Sequence, residues 1–312
     1  LAVGVRPETT LARQIGVELG TTGAIRVDQT MRTNLPGVYA VGDVAESYCL
    51  ITGKPLWRPL GSTANKMGRI AGDAITGGGL SHRGIVGTGI LRVFDLGVAH
   101  TGLTEREARA EGFEIEVHHN IKPAHATYVG GRELVIKAVA DRDTGRLLGA
   151  QVIGPQGVDK RIDVLATAIS FGAQVGDLFH LDLAYSPPFA TTKDPVHYTG
   201  MALDNAITGR ASLITPAELD ARLASGEPLQ VVDVRSASDF TTTHVPGAVN
   251  IPLAELRDRL GELDPDVPTV TYCNKGVSGN AGQNILLRHG FKTVLNISGG
   301  NSNYQTHLRQ TQ

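Results

Sequence analysis

Two rhythms of apolar and polar residues run along the chain. Residues 133–140 and 148–153 alternate with a period of two, as half-buried antiparallel strands do, and Asp141-Arg-Asp-Thr-Gly145 between them reads as a hairpin turn. Residues 89–99 also read as strand. Elsewhere the period is helical. Residues 161–172 form an amphipathic pattern, expected at a subunit contact, and 101–112 predict a helix capped by Thr104 and stopped at Gly112. Thr215-Pro-Ala-Glu218 opens another capped helix, with proline at the first helical position. Short runs at 38–41, 230–234 and 269–272 lack the alternation and predict buried strands, the first two in parallel sheets. A helical pattern over 281–289 follows the last of them. Strands and helices interleave throughout, so the expected fold class is α/β.

Composition changes this picture little. With 312 residues the chain has room for two or three domains, and 41% hydrophobic with 19% charged content is ordinary for a globular protein. A net charge of -2 points to no nucleic-acid surface. The 38 glycines and 5% aromatic content suit many turns and close backbone approaches. Cys49 and Cys273 are too few for a disulfide framework, so a reducing, cytoplasmic setting is expected, with Cys49 structural or incidental. No apolar run is long enough to span a bilayer, so no membrane partner is expected, and no metal either. The chain opens on Leu1-Ala-Val-Gly-Val-Arg-Pro-Glu, a strand with no upstream partner, which reads as the interior of a longer protein.

The candidate chemistry lies in residues 268–280. The run 269–272 delivers Cys273 into a loop with glycines at 276 and 279, and a helix follows. Backbone amides and a helix N-terminus aimed at a thiol favour its thiolate and cradle an anion. Lys275 adds positive charge. Cys-Asn-Lys-Gly-Val-Ser (Cys273, Asn274, Lys275, Gly276, Val277, Ser278) resembles the six-residue active loop of rhodaneses, the thiosulfate and persulfide sulfurtransferases. Val-Val-Asp-Val-Arg (231–235), His-Val-Pro-Gly-Ala-Val-Asn-Ile-Pro (244–252), and Gly-Phe-Lys-Thr-Val with Ser-Gly-Gly (290–300) stand in the family's order. The resemblance implies sulfane-sulfur transfer through a persulfide on Cys273. Asn274 replaces a more usual arginine, which weakens the expected hold on anions. Asp233 and Arg235 are expected to tie loop ends together, and His244 to pack or hydrogen-bond. The related phosphatases need a longer loop ending in arginine where Ser278 and Gly279 stand.

Residues 1–80 resemble flavin-dependent pyridine nucleotide-disulfide oxidoreductases, from Ala2-Val-Gly-Val-Arg-Pro7 through the Thr33-to-Asp43 run, which is similar to that family's second flavin fingerprint. The resemblance implies FAD, with Asp43 at the ribityl chain, Gly42 allowing close approach, and Thr63 and Ala64 beside the isoalloxazine ring. The family's first Gly-x-Gly-x-x-Gly, its redox cysteine and its NAD(P)H fingerprint are not found here. Residues 85–205 resemble the family's dimerisation domain, and implied is a homodimer. His125-Ala-Thr-Tyr-Val-Gly-Gly and Asp182-Leu-Ala-Tyr-Ser-Pro-Pro-Phe resemble coenzyme A-disulfide reductases, NADH oxidases and persulfide reductases. In that branch Tyr185, and more weakly Tyr128, would touch the thiol substrate of the other subunit.

Three parts are therefore expected: 1–84, a remnant of the NAD(P)H- and FAD-binding region; 85–205, an α+β dimerisation domain; and 211–312, a rhodanese domain with a parallel α/β sheet, after a linker from 204. The implied parent is an FAD- and NAD(P)H-dependent reductase of coenzyme A disulfide or persulfide, fused to a rhodanese. Its partners would be coenzyme A as thiol, disulfide or persulfide, and a sulfane-sulfur donor. The alternatives are a chain active only as a sulfurtransferase, or a non-catalytic persulfide-binding module.

Overall fold

The computed structural model describes residues 4–311, and the chain falls into two compact units, Leu1–Gly89 and Ile90–Gln312. Ala2 and Val3 of the expected opening strand lie outside the described residues.

The first unit holds α1 (Thr10–Gln14), the antiparallel pair β1 (Ser47–Tyr48) and β2 (Pro55–Leu56), and α2 (Gly61–Ile75). Met67, Ile70, Ala71 and Ala74 fall at helical spacing on the buried face of α2. Of these, Met67, Ile70 and Ala71 pack with Ile25, Val27, Met31 and Ala40. The expected strand at 38–41 joins no sheet. It makes one antiparallel bridge, Tyr39 to Arg32, and Val38 and Tyr39 are only partly buried. An apolar run becomes a buried strand only where neighbours satisfy its backbone groups, and none of the described residues lies alongside it in a sheet.

The second unit opens with a five-stranded sheet of order β3-β4-β7-β6-β5. Its strands are β3 (Gly89–Val93), β4 (Leu96–Gly102), β5 (Ile115–Pro123), β6 (Glu133–Asp141) and β7 (Leu147–Gly154), and β4–β7, β7–β6 and β6–β5 pair antiparallel. Between β4 and β5 lies α3 (Glu105–Ala110), where Thr104 and Glu107 form the capping box that the sequence predicts. α4 (Val158–Ser170) buries Ile162, Leu165, Ala168 and Ile169 and packs on β4 and β7, so its apolar face is used inside this unit. Its Arg161, 1% exposed, reaches Asp194 at 2.8 Å. Asp194 in turn caps α5 (Pro195–Ile207), accepting from the Val196 amide at 3.0 Å. A buried charge of this kind persists only with its partner in place.

A second, all-parallel sheet follows, of order β10-β9-β11-β12-β8. Chain order runs β8 (Ser212–Ile214), α6 (Pro216–Ser225), β9 (Gln230–Asp233), α7 (Ala237–Thr242), β10 (Val249–Asn250), β11 (Thr269–Tyr272), α8 (Val277–Arg288), β12 (Val294–Ile297) and α9 (Gly300–Thr311). Two points differ from expectation. β8, which precedes the expected strand at 230–234 in the same sheet, goes unpredicted, and α8 starts at Val277 rather than 281. All four residues of β11 are buried, as a central parallel strand requires.

The two sheets of this unit meet through β5 and the segment after β12. The His119 amide donates to Ser298 Oγ at 2.7 Å, and His118 Nδ1 lies 3.3 Å from the same oxygen. Burial drives the His118 pKa down to about 3, with His119 and Lys122 adding to the effect. Burial likewise lowers His119 to about 4. Both rings are neutral at pH 7, while in the unfolded chain each titrates near the ordinary value of about 6.5. The unfolded state then binds more protons below that value, so stability is full above about pH 6.5 and declines as pH falls toward 4. The decline is at most about 1.4 kcal/mol per pH unit for each histidine. Urea unfolding between pH 7.5 and 5 should show this loss, and His118→Asn should flatten it; a pH-independent midpoint contradicts the assignment.

Candidate functional site

β11 and β9 run in register, Tyr272 beside Asp233, so Cys273 and Val234 emerge together at the carboxyl edge of the parallel sheet. Ligands of open α/β sheets bind at that edge. Cys273 is 7% exposed, and its Sγ accepts a hydrogen bond from the Gly276 amide at 3.2 Å. Gly276 has φ +98 and is the N-cap residue of α8, so the loop turns directly into the helix. The other side of the loop is held by the first turn of α9. The amides of Asn301 and Ser302 donate to the carbonyls of Cys273 and Asn274 at 2.8 and 3.0 Å. From β12, Asn296 Nδ2 donates to the Gly276 carbonyl at 3.0 Å.

Arg235, two residues beyond the end of β9, braces the loop. Asp233, fully buried, accepts from the Arg235 amide and guanidinium, and Arg235 Nη1 donates to Asn274 Oδ1 at 2.9 Å. Asn274 is therefore tethered to a guanidinium rather than supplying one. The guanidinium also lies 5.5 Å from the centroid of the Tyr272 ring. His244 stacks on Phe240 and its Nδ1 lies 2.9 Å from the Phe240 carbonyl, a packing role.

Lys275 is not a free charge. It pairs with Glu133 at the start of β6, so the expected positive charge of the loop is shared with a carboxylate from the other sheet. Val277 is exposed and Ser278 partly buried. Tyr128 and Tyr185 are 79% and 52% exposed, on loops joined by the Ala126 amide donating to the Pro187 carbonyl at 3.1 Å.

In the first unit, Gly42 has φ +76 and opens a 3-10 turn over Gly42–Val44. A Cβ there would lie 3.4 Å from the Cβ of Ala64, so the turn and the first turn of α2 are neighbours. Asp43 is exposed, and neither that turn nor α2 has a side-chain cap. Trp57 Nε1 donates to the Asp43 carbonyl at 2.8 Å. Ala64 is partly exposed, whereas Thr63 is buried. Gly42, Asp43 and Ala64 thus form one accessible edge with uncapped helix amides nearby, which fits a polar cofactor; Thr63 faces inward.

Residues 1–68 match the pyridine nucleotide-disulphide oxidoreductase family, 90–195 the pyridine nucleotide-disulphide oxidoreductase dimerisation domain, and 215–307 the rhodanese-like domain. The chain therefore carries pyridine nucleotide-disulphide oxidoreductase segments followed by a rhodanese-like domain. Among particular proteins, it is 45% identical over 199 residues to the NAD(P)H sulfur oxidoreductase (CoA-dependent) of Pyrococcus furiosus, a match covering 63% of this chain and 44% of that protein. Two solved structures are similar along nearly the whole chain. Reduced Bacillus anthracis CoADR-RHD has a TM-score of 0.95 and 37% identity, covering 99% of this chain and 55% of that one. The NAD-dependent persulfide reductase from A. fulgidus has a TM-score of 0.87 and 36% identity, covering 97% of this chain and 55% of that one. The chain spans about half the length of these proteins.

Sequence reasoning missed Glu133, Asn296 and the cluster Lys122, Lys193 and Tyr198, which lines a cavity beside the loop. Asn296 had a signal, a polar residue inside the apolar run Val-Leu-Asn-Ile. The others had none, because only the fold brings them to 275–277.

A close backbone approach to the thiol loop is made at Gly300. Its φ is +61, and a Cβ there would lie 2.3 Å from the Cys273 carbonyl oxygen and 2.7 Å from the Asn274 carbonyl carbon. Gly300→Ala should destabilise the chain by about 1–3 kcal/mol in urea unfolding, while Gly261→Ala, where a Cβ meets nothing within 4 Å, should change stability by less than about 0.5 kcal/mol. Equal effects would contradict the close approach.

Proposed function

We propose that this chain is part of an FAD- and NAD(P)H-dependent reductase of coenzyme A disulfide or persulfide, and that its rhodanese-like domain carries sulfane sulfur on Cys273. The observation that carries the sulfur assignment is the Gly276 amide directed at Cys273 Sγ, at the carboxyl edge of the sheet. The names of the similar proteins, a CoA-dependent sulfur oxidoreductase and a persulfide reductase, support the same class.

The transfer chemistry is balanced without a reductant. The Cys273 thiolate attacks the sulfane sulfur of thiosulfate, the S–S bond breaks, and sulfite leaves with the bonding electrons. The persulfide so formed bears its charge on the outer sulfur, near the loop amides. An acceptor thiolate attacks that outer sulfur, the new S–S bond breaks, and Cys273 leaves as thiolate. Asn274, Lys275, Gly276, Val277 and Ser278 frame this loop, with Arg235 and the first turn of α9 fixing its shape.

Gly42, Asp43 and Ala64 would hold the ribityl chain and ring edge of FAD, which when bound would relay electrons from NAD(P)H. The dimerisation-domain match and the exposure of Tyr128 and Tyr185 support a homodimer in which these tyrosines meet the partner's thiol substrate. The proposed division is 1–84, 85–205 and 211–312, and the order of the three matched segments supports it. No helix among the described residues is long and apolar enough to cross a membrane, and two free cysteines suit a cytoplasmic setting.

The test is turnover by the purified chain with thiosulfate as donor and cyanide as acceptor. Cys273→Ser should lower it by at least about a hundredfold, since serine cannot form the persulfide. Substantial residual turnover in that variant sinks the assignment. Absence of turnover in the unaltered chain favours the binding-module reading.

A further inference from the structure

A cavity of about 320 Å³ lies where the two sheets of the second unit meet. Its walls include Lys122 from β5, Lys193 and Tyr198 at the head of α5, and Lys275–Val277 of the thiol loop. Lys122 Nζ sits 4.2 Å and Lys193 Nζ 5.1 Å from the centroid of the Tyr198 ring. Both ammonium groups thus share one aromatic ring, and among the described residues neither is paired with a carboxylate. Lys275, the third cation of the wall, has Glu133. His118, also lining the cavity, is neutral.

Three ammonium groups and one carboxylate leave this cavity with excess positive charge. Holding like charges in a partly desolvated site is costly unless an anion joins them. The cost is visible at Lys122, whose pKa is lowered by burial and by Lys275 and Lys193, and is supported from one side by the charge of Cys273. The cations therefore act on the same electrostatic neighbourhood as the thiol. Cation–π contacts give each ammonium a partial counter-charge and a fixed position while leaving N–H donors for a ligand.

We propose that this cavity is the subsite for the anionic end of a small thiol, one bearing a sulfonate, carboxylate or phosphate, that accepts sulfur from Cys273. The proposal rests on the reading of Cys273 as a sulfur carrier. With the anion at Lys122 and Lys193, the acceptor's thiolate is directed along the wall formed by 275–277 to the outer sulfur of the persulfide. The acceptor sulfur forms a bond to the outer sulfur, the bond from that sulfur to Cys273 breaks, and Cys273 departs as thiolate, so charge and electrons balance. The selecting cations come from the oxidoreductase-like domain. The rhodanese-like domain alone then supplies the chemistry but not this preference.

The experiment compares the full chain with its Lys122→Gln/Lys193→Gln variant. Each is loaded with thiosulfate, freed of excess donor, and discharged in single turnover to 2-mercaptoethanesulfonate or to neutral 2-mercaptoethanol. The half-saturating concentration for the sulfonate should rise tenfold or more in the variant, while discharge to mercaptoethanol, which feels only the lysines' shared effect on Cys273, should change by a much smaller factor. Equal change with both acceptors, or change with neither, overturns the subsite. Ethanesulfonate, which lacks a thiol, is titrated calorimetrically against both proteins without sulfur loading. Its affinity should fall at least tenfold in the variant, and no binding to the unaltered chain, or equal binding to both, also overturns the subsite. Failure of the unaltered chain to load sulfur refutes the Cys273 reading instead, and the ethanesulfonate titration still decides the cavity.

Discussion

Asp233 is fully buried, and its charge is sustainable because Arg235, two residues on, folds back onto it. Removing one partner of such a pair typically costs about 3–5 kcal/mol, since the other is left buried and uncompensated. The same guanidinium then extends to Asn274 and to the Thr243 carbonyl. One ion pair at the end of β9 thereby fixes the start of the thiol loop and the segment after α7. The loop's far side is held separately, by the first amides of α9 donating to the Cys273 and Asn274 carbonyls.

The parallel sheet touches the antiparallel one beside that loop, through β5 and the segment after β12. The junction is made of neutral polar contacts, His118 and His119 on Ser298, together with one ion pair, Lys275 with Glu133. The ion pair is partly exposed and contributes little energy by itself. Its consequence is directional, since it draws Lys275 toward the antiparallel sheet and makes that residue part of a cavity wall. Lys122 from β5 and Lys193 at the head of α5, with no carboxylate partner among the described residues, complete the wall. The electrostatics around Cys273 are thus a property of both domains.

How legible this is in the sequence depends on how local each feature is. The strand at 269–272 is readable because its residues are β-branched or aromatic, and the thiol loop because glycines follow a cysteine at a strand end. The start of α8 is misplaced by four residues because Val277-Ser-Gly-Asn is a poor helix-forming run. Packing overrides propensity there: a Cβ at Gly279 would lie 2.3 Å from Asn296 Oδ1 and 3.0 Å from the Tyr272 Cα. β8 is three residues long and exists through its pairing with β12, more than eighty residues later in sequence, so no local pattern announces it. The run at 38–41 errs in the other direction, carrying strand composition without sheet neighbours among the described residues. Lys122, Lys193 and Tyr198 become a cluster only through topology.

The central claim is that Cys273 holds sulfane sulfur. Intact-mass measurement of the chain after brief exposure to thiosulfate, followed by peptide mapping, tests it most directly. The account predicts the gain of one sulfur atom, located on the peptide containing Cys273 and removed by a thiol. An unmodified Cys273, or sulfur found instead on Cys49, would contradict it.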